Sequence, residues 1–222
     1  MRINSLFFLL ILTVIFSNTI ARPAHAAPID LNIISGTSWL SSDTLQAGWE
    51  TIGFDDSSWV SARAPYPNPT SETTLIPGTS AKFMWYDPAG MSDGTTGPNE
   101  AFFRYSFDMM LGADSIPLLA QALVNADDDY EFYVNGNLVA ENKDGGNAEV
   151  VDFVDFTSSL VNGKNLLAIH AVDGGWGNPR DRIYERVLFD GNISTVSVSE
   201  PATLLLLLPG LLGVTFAGRR YL

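Results

Sequence analysis

Residues 122–141 read ALVNADDDYEFYVNGNLVAE, and this stretch decides the fold. Leu123 and Val124 start an apolar run, which Asp127-Asp128-Asp129 interrupts with three like charges. Tyr130, Phe132 and Val134 then alternate with Glu131 and Tyr133, the two-residue period of a half-buried strand. Asn135-Gly136 follows. Asn and Gly take positive φ cheaply, so this pair predicts a tight hairpin turn. Leu138-Val139-Ala140 is the returning strand. The reading is strand, acidic turn, strand, tight turn, strand, a meander that the rest of the chain covers.

Working outward, Phe103, Tyr105, Phe107 and Met109 alternate with Arg104, Ser106 and Asp108, a second clear strand. Residues 166–172 are apolar on both faces, as a central strand is. Residues 29–35 and 81–86 are further strand candidates, 150–156 mixes Val and Phe with Asp152 and Asp155, and 183–189 closes the domain. Between them lie segments rich in Pro, Gly, Ser and Thr: 64–80, 87–100, the turn NKDGGN at 142–147, and DGGWGNPRDR at 173–182. Residues 191–197 read as a short polar connector. Phe54 and Trp59 flank an Asp-Asp-Ser-Ser turn, where short polar side chains bond nearby backbone, and are expected to pack across the sandwich. No helical period runs beyond a turn or two in this part, and no repeat of solenoid length is present. Many short strands with turns between them predict an all-β sandwich or barrel.

Four segments carry a resemblance. Phe54-Asp55-Asp56-Ser57-Ser58-Trp59, Phe102-Phe103-Arg104-Tyr105-Ser106-Phe107, the Asp-Asp segment running through an aromatic strand into Val134-Asn135-Gly136, and Gly163-Lys164-Asn165 stand in the usual order over about 39–189. Together they resemble the galactose-binding-like module. The resemblance implies a jelly-roll β-sandwich and carbohydrate binding. Sugars dock on aromatic faces beside carboxylates, amides and Arg. On that implication Trp176, in a Gly-rich loop with Asn178, Arg180 and Asp181, is the candidate glycan platform, with Trp85 and Tyr66 at loop borders. The alternative for Trp176 is a plug at the end of the sandwich.

The chain has 222 residues, enough for one domain plus processing segments, and 46% hydrophobic content fills a core. It has no Cys, hence no disulfide, thiolate metal site or cysteine nucleophile. The net charge of −13 is uneven: between the two ends, eight basic residues face 24 acidic ones. Such a body repels nucleic acid and anionic lipid.

The ends read as address signals. Arg2 precedes the apolar run LFFLLILTVIF at 6–16, and Ala24-His25-Ala26 forms an A-x-A cleavage site, so 1–26 reads as a secretory signal peptide cut by signal peptidase. At the other end Ser199-Glu200-Pro201-Ala202-Thr203 leads into LLLLLPGLLGVTFAG and then Arg219-Arg220. This resembles the PEP-CTERM sorting tail of Gram-negative bacteria, with Ser199 where the box usually has Pro. The resemblance implies an exosortase-type sorting enzyme as partner, passage through the inner membrane, and a final place at the cell surface or outside it. Independently, residues 202–218 are 17 mostly apolar residues, the lower limit of a bilayer span. The positive-inside bias keeps Arg219-Arg220 cytoplasmic and the acidic body outside. The division is signal peptide 1–26, sandwich 27–197 and sorting tail 198–222.

No catalytic constellation stands out. His170 is the one histidine outside the leader and sits mid-strand, a position for a hydrogen-bonded core residue rather than a general base. Carboxylates abound, yet no spacing singles out a hydrolase pair. No cofactor is expected except a structural calcium ion. Asp127, Asp128 and Asp129 are its candidate ligands, supported by the loops around Asp93 and Asp144, against the plainer reading of a solvated turn. The expectation is an exported, non-catalytic module that binds exopolysaccharide. The alternatives are an adhesive matrix protein without a sugar site, and a secreted polysaccharide hydrolase.

Overall fold

Alternation along the chain resolves into strands of two facing sheets in a computed structural model, which describes residues 30–66, 75–88, 98–111, 115–143, 150–174 and 185–197. The leader, the sorting tail, Trp176, Asn178, Arg180, Asp181, Asp93 and Asp144 lie outside the described residues. The strands are β1 (Asp30–Ile34), β2 (Leu40–Ser42), β3 (Val60–Ser61), β4 (Glu100–Met109), β5 (Ser115–Ala126), β6 (Asp129–Val134), β7 (Asn137–Asn142), β8 (Asp152–Asp155), β9 (Gly163–Val172) and β10 (Val187–Ser197). The one helical element among the described residues is a three-residue 3-10 turn, Thr157–Ser159. One sheet has the order β1-β10-β5-β8 and the other β3-β2-β4-β9-β6-β7. Every pairing is antiparallel. The chain is an all-β sandwich.

The main core lies between the sheets. Trp39, Phe103, Phe132, Phe156 and Phe189 are all within 1% of complete burial there. Phe132 meets Phe156 edge-on at 5.8 Å and Phe189 at 5.4 Å, the tilted contacts aromatic rings prefer. The central β9 is apolar on both faces because both are covered. Leu167, Ile169 and Ala171 enter the main core. Leu166 and Ala168 enter a second cluster with Trp49, Trp59 and Phe102 on the outside of the same sheet.

The Asn135-Gly136 turn has φ of 54° and 87°, both positive, the requirement of the type I′ hairpin turn that joins β6 to β7. The Asn135 side chain then does a second job. Its Nδ2 donates to Asn165 Oδ1 at 2.9 Å and to the Ser159 carbonyl at 2.8 Å, and its Oδ1 accepts from Leu166 N at 2.8 Å. Asn165 is fully buried and bonds the backbone of Val161 and Gly163. Two of the four motif segments therefore clasp each other.

The other two meet as well. Arg104, 2% exposed, donates through Nε to Asp56 Oδ2 at 2.9 Å and through its guanidinium to the carbonyls of Thr51 and Trp49. Its guanidinium carbon lies 5.0 Å from the Phe54 ring centre and 5.9 Å from that of Trp59. So Phe54 and Trp59 do not pack across the sandwich as expected. They seal the outer face of the six-stranded sheet, because the alternation of β4 sends Arg104 outward and the aromatics follow it.

Three further expectations are corrected. β5 and β6 do not pair: they belong to different sheets, and the acidic turn is a crossing between them, not a hairpin. Residues 191–197 are not a connector but the far half of β10, whose Gly191 and Ile193 face inward while Asn192 faces out. Residues 81–86 form no strand; Met84 and Trp85 make only isolated bridges, to Val187 and Arg63.

Candidate functional site

The two outer faces of the sandwich differ. On the four-stranded sheet, β5 and β10 present cross-strand rows. Asp190, Leu123 and Phe153 stand side by side in one row, and Asn192, Gln121 and Asp155 in the next. The segment around Ile76, Pro77, Gly78 and Thr79 lies over part of this face and is held there by Ile76, Phe83 and Leu188 in a small apolar cluster. The result is an open groove of about 340 Å³, floored by Gln121, Leu123, Asp190 and Asn192, with Phe153 on the β8 wall.

Phe153 is 64% exposed, an unusual place for a large aromatic in an alternating strand. The polar floor is pre-set by neighbours on β1 and β10. Asn32 Nδ2 donates to Asp190 Oδ1 at 3.1 Å, Asn192 Nδ2 donates to Asp30 Oδ1 at 2.8 Å, and Ser194 donates to Asn192 Oδ1 at 3.2 Å. Beside the floor, two bonds from Thr157 hold the Asp155 carboxyl below its ordinary pKa, so it stands ionised. An exposed ring beside amides and carboxylates is the donor and acceptor pattern of a polyol site.

A second constellation sits at one end of the sandwich. Register pairs Asp129 with Val172, which brings the β5–β6 crossing against the end of β9. One carboxylate oxygen from each of Asp127, Asp128 and Asp173 then lies within 4.8 Å of the others. Asp128 sits at φ 71° and accepts from Gly174 N. Asp127 faces Arg186 at 3.6 Å. Burial, then the charges of Glu185, Asp128 and Asp127 and a hydrogen bond shared with the Asp128 carboxyl, push Asp173 up to about 7. Burial pushes Asp127 up to about 6, with Arg186 opposing and Asp128 adding to the rise. Of the three acids expected to act together, Asp129 departs: it lies within β6, 1% exposed, and does not join the group.

Tyr66 and Trp85 are not platforms at loop borders. Both have 0% exposure. Tyr66 donates to the buried Glu185 at 3.1 Å, and Trp85 Nε1 donates to the Pro98 carbonyl at 3.2 Å. His170 stacks on Phe102 with ring centres 4.3 Å apart and lies 3.1 Å from Glu100 and 3.5 Å from Glu131, a fastened ring in a packed layer. The residues missed by sequence reasoning are Phe153, Gln121, Asp190 and Asn192. Their one signal was an aromatic at an outward position of an alternating strand. Among the described residues no helix is long and apolar enough to cross a membrane.

No protein-family model matches this chain, and no curated protein does. Among solved structures it is similar to a glycosyl hydrolase family 2 member from Bacteroides cellulosilyticus, at 20% identity and a TM-score of 0.46, over 73% of this chain and 20% of that one. It is also similar to a beta-glycosidase from Bacteroides vulgatus, at 17% identity and a TM-score of 0.45, over 72% of this chain and 20% of that one. A beta-glucuronidase from Bacteroides uniformis is similar at 16% identity and a TM-score of 0.45, over 73% of this chain and 18% of that one. The chain spans about a fifth of the length of these enzymes, and the likeness is one of fold.

Proposed function

We propose that this chain is an exported, non-catalytic module that binds polysaccharide in the groove on its four-stranded sheet. The observation that carries this reading is Phe153, a 64% exposed ring beside a floor of Gln121, Asp190 and Asn192. Polysaccharide suits such a groove because it is open at the surface, offers an apolar face to a sugar ring, and sets amides and a carboxylate at hydroxyl height. An extended chain ligand needs an open groove, whereas a small cofactor asks for an enclosed cavity. Export rests on the sequence of the two ends. In this reading signal peptidase cuts after Ala26, and the 199–203 box with its apolar run and Arg219-Arg220 hands the protein to an exosortase-type enzyme. The protein is then released to the cell surface or the surrounding matrix.

The experiment is a glycan array, with pull-down on exopolysaccharide, using the full chain. Retention by wild type, and its loss by about tenfold or more in Phe153→Ala, is the expected result (about 1.4 kcal/mol). A second reading, an adhesive matrix protein without a sugar site, is favoured by the burial of Tyr66 and Trp85, which removes two aromatics from the surface. It predicts no retention by wild type on any glycan. Cell fractionation and N-terminal sequencing test export separately, with Ala27 as the expected first residue.

A further inference from the structure

We infer that Asp127, Asp128 and Asp173 form a calcium site that pins the β5–β6 crossing to the end of β9 at one end of the sandwich. Three carboxylate oxygens within 4.8 Å of one another are close enough to share one ion of the size that takes oxygens at about 2.3–2.6 Å. A cluster of acids on a surface needs no such ion, because water separates the charges. This cluster is different in one member. Asp173 is 4% exposed, and among the described residues its Oδ2 accepts from no amide, hydroxyl or cationic donor. A buried carboxylate oxygen left without such a donor costs free energy that a cation at that point removes.

The surroundings agree. The carboxyl of Glu185, 0% exposed, adds a fourth acid whose charge is felt at Asp173. Among the described residues, Arg186 faces Asp127 at 3.6 Å. The donors are all oxygen, with no His or Cys in the group, which selects a hard cation. Calcium fits better than magnesium, because magnesium demands near-ideal octahedral geometry and sheds water reluctantly. The placement gives the ion a task. Asp127 and Asp128 lie in the crossing from β5 to β6, and Asp173 follows β9. The β6–β9 ladder stops at the Asp129–Val172 pair, so a bridging ion ties the crossing to the segment just beyond the ladder.

The test is calorimetric titration and thermal unfolding of the full chain, stripped with chelator, against calcium chloride, with magnesium chloride alongside. At calcium about 100-fold above Kd, the unfolding midpoint is expected to rise by about 5–10 °C, with a smaller response to magnesium. Asp173→Asn keeps the shape and removes one like charge. It is expected to unfold no earlier than wild type without metal, and to lose the calcium response. Asp128→Asn, at a partly exposed position, is expected to lose the response too, and decides the matter if Asp173→Asn does not fold. Absence of heat and of any midpoint shift in wild type up to about 10 mM calcium, well above the range of extracellular modules, overturns the inference. So does a calcium shift that survives in the folded variants, since the ion then binds elsewhere on this acidic protein.

Discussion

The two sheets of this sandwich treat their outer faces in opposite ways. The six-stranded sheet carries a second apolar layer on its outside: Trp49, Trp59 and Phe102, fastened around the buried guanidinium of Arg104. Among the described residues, the four-stranded sheet is covered over only part of its width, and beside the cover it shows Phe153 and a row of amides and carboxylates. The first face is built so that water stays out. The second is built so that something can come in. An arginine buried among carbonyls and rings stabilises a lid, whereas an exposed phenylalanine stabilises nothing by itself. Two of the four motif segments meet on the closed face and the other two clasp each other at a turn, so the segments that resemble a known module speak for the fold rather than for the ligand.

The contrast can be broken first on the closed face. Asp56→Asn leaves Arg104, 2% exposed, without its carboxylate, and is expected to cost about 3 kcal/mol, lowering the unfolding midpoint by about 6–12 °C. A shift within a degree in calorimetry would show that the lid is ornamental. Next is Asn135→Ala, which removes three side-chain hydrogen bonds from a turn at φ 54° and is expected to cost about 2 kcal/mol. Chemical denaturation reads this directly, and an unchanged transition midpoint would contradict the clasp between Asn135 and Asn165. On the open face the expectation reverses. Phe153→Ala is expected to change stability by less than about 0.5 kcal/mol, while polysaccharide retention falls. If it unfolds the protein instead, the ring is a structural part and the distinction between faces fails.

Much of the fold was legible because a two-residue period reports which side of a strand is covered. The strands β4 and β6 follow from that period, β9 from its continuous apolar run, and β7 from the Asn135-Gly136 turn, whose residues take positive φ. What the period does not report is which sheet a strand joins. Nothing in the run from Leu123 to Tyr130 says that β5 and β6 part company at Asp127-Asp128. Tyr66 and Trp85 look like border residues because Pro and Gly surround them, yet irregular backbone can cross the end of a core when bridges such as Arg63 to Trp85 hold it. The acid cluster was half legible. Three identical neighbours in sequence cannot show which of them point together, and Asp173 is brought in only by the pairing of β6 with β9. The groove was the least legible part, because its polar residues come from β5 and β10 and its aromatic from β8, which meet only through sheet order.

The central claim is that the open face binds and the closed face holds, and isothermal titration of the full chain with exopolysaccharide tests it most directly. Wild type is expected to give saturable heat, Asn192→Ala and Phe153→Ala to weaken it by about tenfold or more, and both variants to keep the wild-type unfolding midpoint. Heat that is unchanged in both variants, or absent from wild type, contradicts the account.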